Sequence, residues 1–195
     1  EQPRLVITAE GAGRQTAIDV LQLIMLRMLT SMPTGKLRFT IIDPSGLGKN
    51  FAGFMHLADF DEQLVGGRIW TDSKHIDERL ALVSEHMEKV LQKYLRNEYA
   101  TIQEYNATAG EVAEPYHVIV AANFPAGFTD SAARKLATIA HSGPRCGVYT
   151  MLSVDGSLRV PHEFKLQELL DDAVHLEATP DRLVWHYPLF EKLPL

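Results

Sequence analysis

The stretch Tyr116-His117-Val118-Ile119-Val120-Ala121-Ala122-Asn123-Phe124 is a nearly unbroken apolar run. An amphipathic helix would interrupt such a run every three or four positions, and a half-exposed strand would alternate. A strand that is apolar throughout needs cover on both faces, which is the setting of a parallel sheet in an α/β protein. Gly147 to Val154 has the same character. Around these two runs, strand-like and helix-like segments alternate, which predicts a parallel sheet with helices on both faces.

Leu5 to Ala9 reads as a first strand, ending at Gly11 and Gly13, and Leu37 to Ile42 as a second, closed by Asp43-Pro44. Between them, Ala17 to Leu29 is apolar on nearly every face, as expected of a helix buried against a sheet and further protein. Pro33-Thr34-Gly35 stops it. Ser45 to Gly67 shows no clear period, and a short strand is predicted over Arg68 to Thr71. From His75, the positions Ile76, Leu80, Val83, Met87, Val90, Leu91 and Tyr94 mark a long amphipathic helix, with Glu85 and Lys89 paired on its wet side. Ala107 to Pro115 reads as a loop. Thr129 or Asp130 caps a helix ending near Gly143. Phe164 to Leu170 suggests a short helix, and Ala173 to Glu177 with Leu183 to Trp185 suggest two short edge strands. The expected domain spans residues 1–186, and Tyr187 to Leu195, with its two prolines, reads as a tail or linker.

The composition fits one soluble domain: 195 residues, 46% hydrophobic and 23% charged. That apolar content excludes disorder. The most apolar stretch, Val20 to Leu29, is broken by Gln22 and Arg27 and is too short to span a bilayer. A net charge of −6 argues against a domain that grips nucleic acid unaided. The single cysteine, Cys146, allows no internal disulfide and suggests a reducing compartment, hence a cytoplasmic location. The chain starts at Glu1 with no signal pattern behind it and reads as a piece of something longer.

Ligands of parallel α/β sheets sit beyond the carboxyl ends of the strands. The first such place is Thr8-Ala9-Glu10-Gly11-Ala12-Gly13-Arg14-Gln15-Thr16. A phosphate loop needs G-x-x-x-x-G-K-[ST], with glycines for backbone N–H contacts, Lys for the terminal phosphates and a hydroxyl for Mg²⁺. Aligned on Gly13, Thr8 replaces the first glycine, Arg14 the lysine and Gln15 the hydroxyl, with Thr16 one place late. Two readings follow: a tight turn feeding a buried helix, or an atypical anion site using Arg14 and the helix N-terminus. Ser45-Gly46-Leu47-Gly48-Lys49-Asn50 only superficially resembles a phosphate loop and reads as a connection anchored by Phe51, Phe54 and Met55. Nucleotide hydrolases end the buried strand with carboxylates for Mg²⁺ and for the attacking water. Here that strand ends in Ala122-Asn123, so neither carboxylate is present. The histidines, His86 and His117 among them, show no ligand spacing and are expected in solvated or core positions. Arg145, in Gly143-Pro144-Arg145-Cys146-Gly147, is the one cation placed like a functional loop residue.

In this order the segments over roughly residues 4–155 resemble the motor domain of the FtsK/SpoIIIE family of P-loop ATPases. The resemblance rests on the strand and glycine turn leading into a long apolar helix, and on Phe39-Thr40-Ile41-Ile42-Asp43-Pro44. It continues through Glu85 to Tyr94, Arg96-Asn97, Thr101-Ile102-Gln103-Glu104-Tyr105-Asn106, and Ala137 to Tyr149. It implies a RecA-like, P-loop NTPase-like parallel sheet with short β additions near the C-terminus. The departures fall on the catalytic positions: the nucleotide loop, the Ala122-Asn123 pair, and Val154 where the family places a sensor glutamine. The resemblance therefore implies a degenerate, non-catalytic copy within a larger bacterial DNA or protein translocase. Its partners would be other domains of the parent chain, in a ring-forming homo-oligomer, with ATP and Mg²⁺ bound by the parent rather than by this domain. Nucleic acid would be touched only through that assembly. Arg145 becomes a candidate trans cation toward a neighbour's nucleotide. The alternative is an ATP-hydrolysing domain in which Arg14 serves for the lysine.

Overall fold

The computed structural model describes residues 3–96, 98–162 and 164–187, and the backbone of residues 190–194. Its centre is a seven-stranded sheet in the order β2-β3-β4-β1-β5-β6-β7. The strands are β1 (Arg4–Ala9), β2 (Leu37–Ile42), β3 (Tyr116–Phe124), β4 (Val148–Asp155), β5 (Ala173–Ala178), β6 (Leu183–Tyr187) and β7 (Phe190–Pro194). The first five in this order run parallel, and β6 and β7 add an antiparallel extension. β3 and β4, read as doubly buried, do lie inside the sheet, with every residue from His117 to Phe124 buried.

Alternation along each strand separates two apolar layers. On one face Ile7, Phe39, Ile41, Val118, Val120 and Met151 pack under α1 (Gly13–Ser31), a 3₁₀ segment at Lys49–Asp59 and α2 (Glu62–Val65). On the other, Val6, Ile42, Ile119, Ala121 and Leu152 meet α3 (Ser73–Lys89), α4 (Ile102–Ala109) and α5 (Asp130–Ser142). The short α6 (Gln167–Leu170) closes this second layer through Leu169. α3 continues into a π-helical turn at Val90–Leu95 before the chain reverses at Arg96, whose φ is 44°.

The structure departs from the sequence reading in five places. α1 is buried through Ala17, Ile18, Leu21 and Met25, yet Leu23 and Leu26 are 64% and 55% exposed, so its outer face lacks the second cover expected. The strand over Arg68 to Thr71 shrinks to one parallel bridge between Ile42 and Trp70 at the sheet edge. The loop expected at Ala107 is still α4, which runs to Ala109 and then turns through a 3₁₀ segment. β5 is an interior strand parallel to β1, not an edge strand. Where a tail or linker was expected from Tyr187 onward, Tyr187 ends β6 and β7 pairs with it, carrying the sheet past residue 186, while Pro188, Leu189 and Leu195 lie outside the described residues.

The segment resembling the family signature works as a local clamp. Thr101 caps α4 by accepting from Glu104 N, and the Glu104 carboxylate accepts from Ala100 N at 2.8 Å. Asn106 both donates to Glu114 O and accepts from Glu114 N at 2.9 Å, which pins the connection into β3. Tyr105 packs against Tyr94 and Tyr99. Asn97 lies outside the described residues.

Candidate functional site

The glycine turn occupies the carboxyl end of β1, where the strand order places β4 and β5 on either side. Only Glu10, Gly11 and Ala12 separate β1 from α1, so the connection is short. Gly11 supplies a left-handed residue at φ 52°, which L side chains adopt at a cost. Gly13 is required by contact: a Cβ there would collide with the Ala178 carbonyl oxygen at the end of β5.

The backbone donors that a phosphate would need are turned inward. Gly13 N donates to Glu10 O (3.0 Å), Arg14 N to Gly11 O (3.5 Å) and Gln15 N to Ala12 O (3.3 Å). An anion nest requires these N–H groups to converge on open space. The Arg14 guanidinium is also committed: Nε donates to Gly11 O at 3.1 Å and Nη1 to Asp155 Oδ2 at 2.7 Å. Asp155 ends β4, directly opposite Ala9 in register, and is 2% exposed. Burial opposes its ionisation, but hydrogen bonds from Ser157 and Arg14 outweigh that and hold its carboxyl below the ordinary value. Gln15 donates to Asp19 along the helix surface, and Thr16 is half-buried one position further on.

Ala122 and Asn123 lie at the same end of the sheet, across β4 from the turn, roughly 10 Å away by strand spacing. Ala122 belongs to the apolar layer under α1. Asn123 sits in a bulge at φ 53°, with its N–H donating to Ser153 Oγ at 2.8 Å. Its buried Oδ1 has no hydrogen-bond partner among the described residues.

The loop that superficially resembles a phosphate loop closes on an anion of its own. The fully buried Asp43 carboxylate accepts from Gly46 N (3.0 Å), Asn50 N (3.1 Å) and Asn50 Nδ2 (3.0 Å). A Cβ on Gly46 would strike this carboxylate, so glycine is needed there for close approach rather than for a ligand.

Arg145 is not brought to this end at all. It precedes β4, whereas the turn lies beyond its carboxyl end, a strand length of roughly 26 Å away. Its Nε donates to Ala100 O at 2.8 Å, and it borders a groove of about 1050 Å³ beside α1, lined also by Ile24, Met28, Tyr149 and Val174. Asp155 was not singled out in the sequence, and Asp43 was read only as the close of β2 and not as the anchor of the following loop. Asp155 was legible only as the acidic end of an apolar strand, followed by Gly156-Ser157. No metal-binding group of three or more His, Cys, Asp or Glu side chains is present among the described residues. No helix among them is long and apolar enough to cross a membrane.

No family model matches the sequence, and no curated protein matches it. Solved structures do match. TcpA, the pCW3 conjugation coupling protein in its monomer form with ATPγS, aligns with all of this chain and 60% of its own, at TM-score 0.71 and 10% identity. The cytoplasmic domain of EccC, the type VII secretion ATPase of Thermomonospora curvata, covers 99% of this chain and 25% of its own, at 0.64 and 18%. EssC (ATPases 2 and 3) from Geobacillus thermodenitrificans covers 91% of this chain and 32% of its own, at 0.63 and 16%. At such identities the likeness is one of fold. That fold is the α/β, P-loop NTPase-like arrangement anticipated above. The chain spans between a quarter and three-fifths of the length of these neighbours.

Proposed function

We infer that this chain is a degenerate FtsK/SpoIIIE-like ATPase domain of a larger bacterial DNA or protein translocase, and that it acts as a structural and regulatory module without hydrolysing ATP. The observation that carries this reading is the closed glycine turn: three N–H groups bonded within the turn, and Arg14 neutralised by Asp155. A triphosphate at this turn would have to break that ion pair and meet the Asp155 carboxylate. Ala122 and Asn123 supply neither the carboxylate that would hold Mg²⁺ nor a base. Nucleotide and Mg²⁺ would bind elsewhere in the parent protein, at the cytoplasmic side, and any nucleic acid would be contacted by the assembly. Leu23, Leu26 and the groove beside α1 offer the apolar surface that neighbouring domains or subunits of a ring would cover. The alternative, hydrolysis with Arg14 in the lysine's place, requires Arg14 to leave Asp155.

The test is ATP hydrolysis by the purified chain, followed as phosphate release. The expected rate equals that of the buffer blank, unchanged by Arg14→Ala. Hydrolysis that Arg14→Ala abolishes would overturn the proposal.

A further inference from the structure

A second set of arginines lies at the other end of the sheet, in the opposite electrostatic situation. Arg38 of β2 and His117 of β3 are direct cross-strand partners near the amino ends of their strands. With Thr40 they put polar groups on the sheet face where Ile42 and Ile119 are apolar. α3 crosses this strip and presents Arg79, Leu82, Val83 and His86, spaced to share one helix face. Arg38, Arg79, Leu82, Val83, His86, Pro115 and His117 enclose a pocket of about 170 Å³, room for roughly five waters.

The hydrogen bonds show what this pocket lacks. Arg79 donates through Nε and Nη2 to the Thr40 hydroxyl, at 3.2 and 3.0 Å. That hydroxyl then donates its own proton to His117 Nε2 at 2.8 Å, which leaves the His117 proton on Nδ1. Arg38 donates to the Gln63 side chain at 2.8 Å. Among the described residues, neither guanidinium has a carboxylate within ion-pair distance. Glu114 lies 3.7 Å from His86. The part-buried Arg79 guanidinium and the more exposed Arg38 guanidinium meet only neutral acceptors, which leaves positive charge uncompensated at the pocket. His117 feels Arg79, His86 and Arg38, all of them cationic or able to become so. Burial pulls the Arg79 guanidinium below its ordinary value, the response of a desolvated cation with no counter-charge.

We propose that the pocket between α3 and the β2–β3 edge binds a phosphate-sized oxyanion, held by Arg38 and Arg79 with His86 and His117 as further donors. Arginine forks match tetrahedral oxyanions, and the pocket is too small to take a nucleoside along with the phosphate. The charged or titratable groups facing His86 are Glu114 before β3, Arg38 of β2, Arg79 and Lys89 of α3, and His117 of β3. Of these only Glu114 favours protonation of His86, so an arriving anion adds a second such influence and binding takes up a proton.

Inorganic phosphate titrated calorimetrically into the whole chain at neutral pH is the test, with phosphoserine in parallel and acetate as competitor. One saturable site is expected, weakened about tenfold or more in both Arg38→Gln and His86→Gln. Circular dichroism of each variant establishes that it is folded, and Arg79 is left intact because it packs on Trp70 and Thr40. Tighter binding of phosphoserine points to a phosphoryl group carried on another molecule, and tighter binding of phosphate to the free ion; both support the site. No saturable binding, undiminished binding in folded Arg38→Gln, or equal displacement by acetate overturns it.

Discussion

The two ends of the sheet handle arginine in opposite ways. At the carboxyl end, where this fold places its ligands, Arg14 has a buried carboxylate at 2.7 Å and the turn's N–H groups are spent on the turn's own carbonyls. At the amino end of β2 and β3, Arg38 and Arg79 lie against a serviceable pocket with only neutral acceptors. A cation marks a binding site when its charge is left over, not when its position matches a motif. The Asp43 loop makes the same point, because its inward N–H groups already hold an internal anion.

The largest effect is expected at that loop. Asp43→Ala removes a fully buried carboxylate from the part-buried Gly46 and Asn50 donors and should cost about 3 kcal/mol in urea unfolding. A loss below about 0.5 kcal/mol would mean that water satisfies these donors and that the loop is not closed by its own carboxylate.

The next effect is a pH dependence at the amino end. Burial, followed by the charges of Arg79, His86 and Arg38, lowers the His117 pKa from 6.5 to about 3. The unfolded chain therefore takes up this proton first, and stability is lost as pH falls below 6.5. One such proton gives about 1.4 kcal/mol per pH unit, or about 2 kcal/mol by pH 5. Stability measured between pH 7 and pH 5 should fall less steeply in His117→Gln. The residual slope belongs to His86 and His175, whose pKa values burial also lowers. An unchanged slope would remove His117 from this account.

Asp155→Asn probes the carboxyl end and should cost about 1 kcal/mol at neutral pH, since it keeps the shape and loses the charge. The folded Asp155 pKa lies below 3.8, so its contribution is complete above that value and disappears as pH falls through the lower one. Variant and wild type should therefore converge in acid. The smallest effect is at Arg145→Ala, an exposed side chain with one bond to Ala100 O, expected within about 0.5 kcal/mol of wild type by thermal unfolding.

The sheet was legible where the physics is local. β2 and β3 fall on the residues read from the sequence; for β3 the reason is that a strand buried on both faces must be apolar along nearly its whole length. In residues 45–67 the anchoring by Phe51, Phe54 and Met55 was legible, but the 3₁₀ path of the backbone between them was not, since it shows no period in the sequence. β7 was obscured by its flanking prolines, and α1's open face by assuming that apolar residues are all covered. At the site, the odd residues of the glycine turn were visible, but not what they do. Arg14 and Asp155 are 141 residues apart, and Arg38, Arg79, His86 and His117 converge only once α3 lies across two strands. Single residues that look unremarkable at helix or strand spacing acquire meaning from the register between elements.

In the proposed reading the glycine turn takes no nucleotide, because its donors and its arginine are already engaged. Backbone amide NMR of the chain titrated with Mg-ATP tests it most directly, read at Gly11, Gly13, Arg14 and Gln15. These four signals are expected to stay in place at saturating nucleotide. A saturable shift of all four, lost in Arg14→Ala, would contradict it.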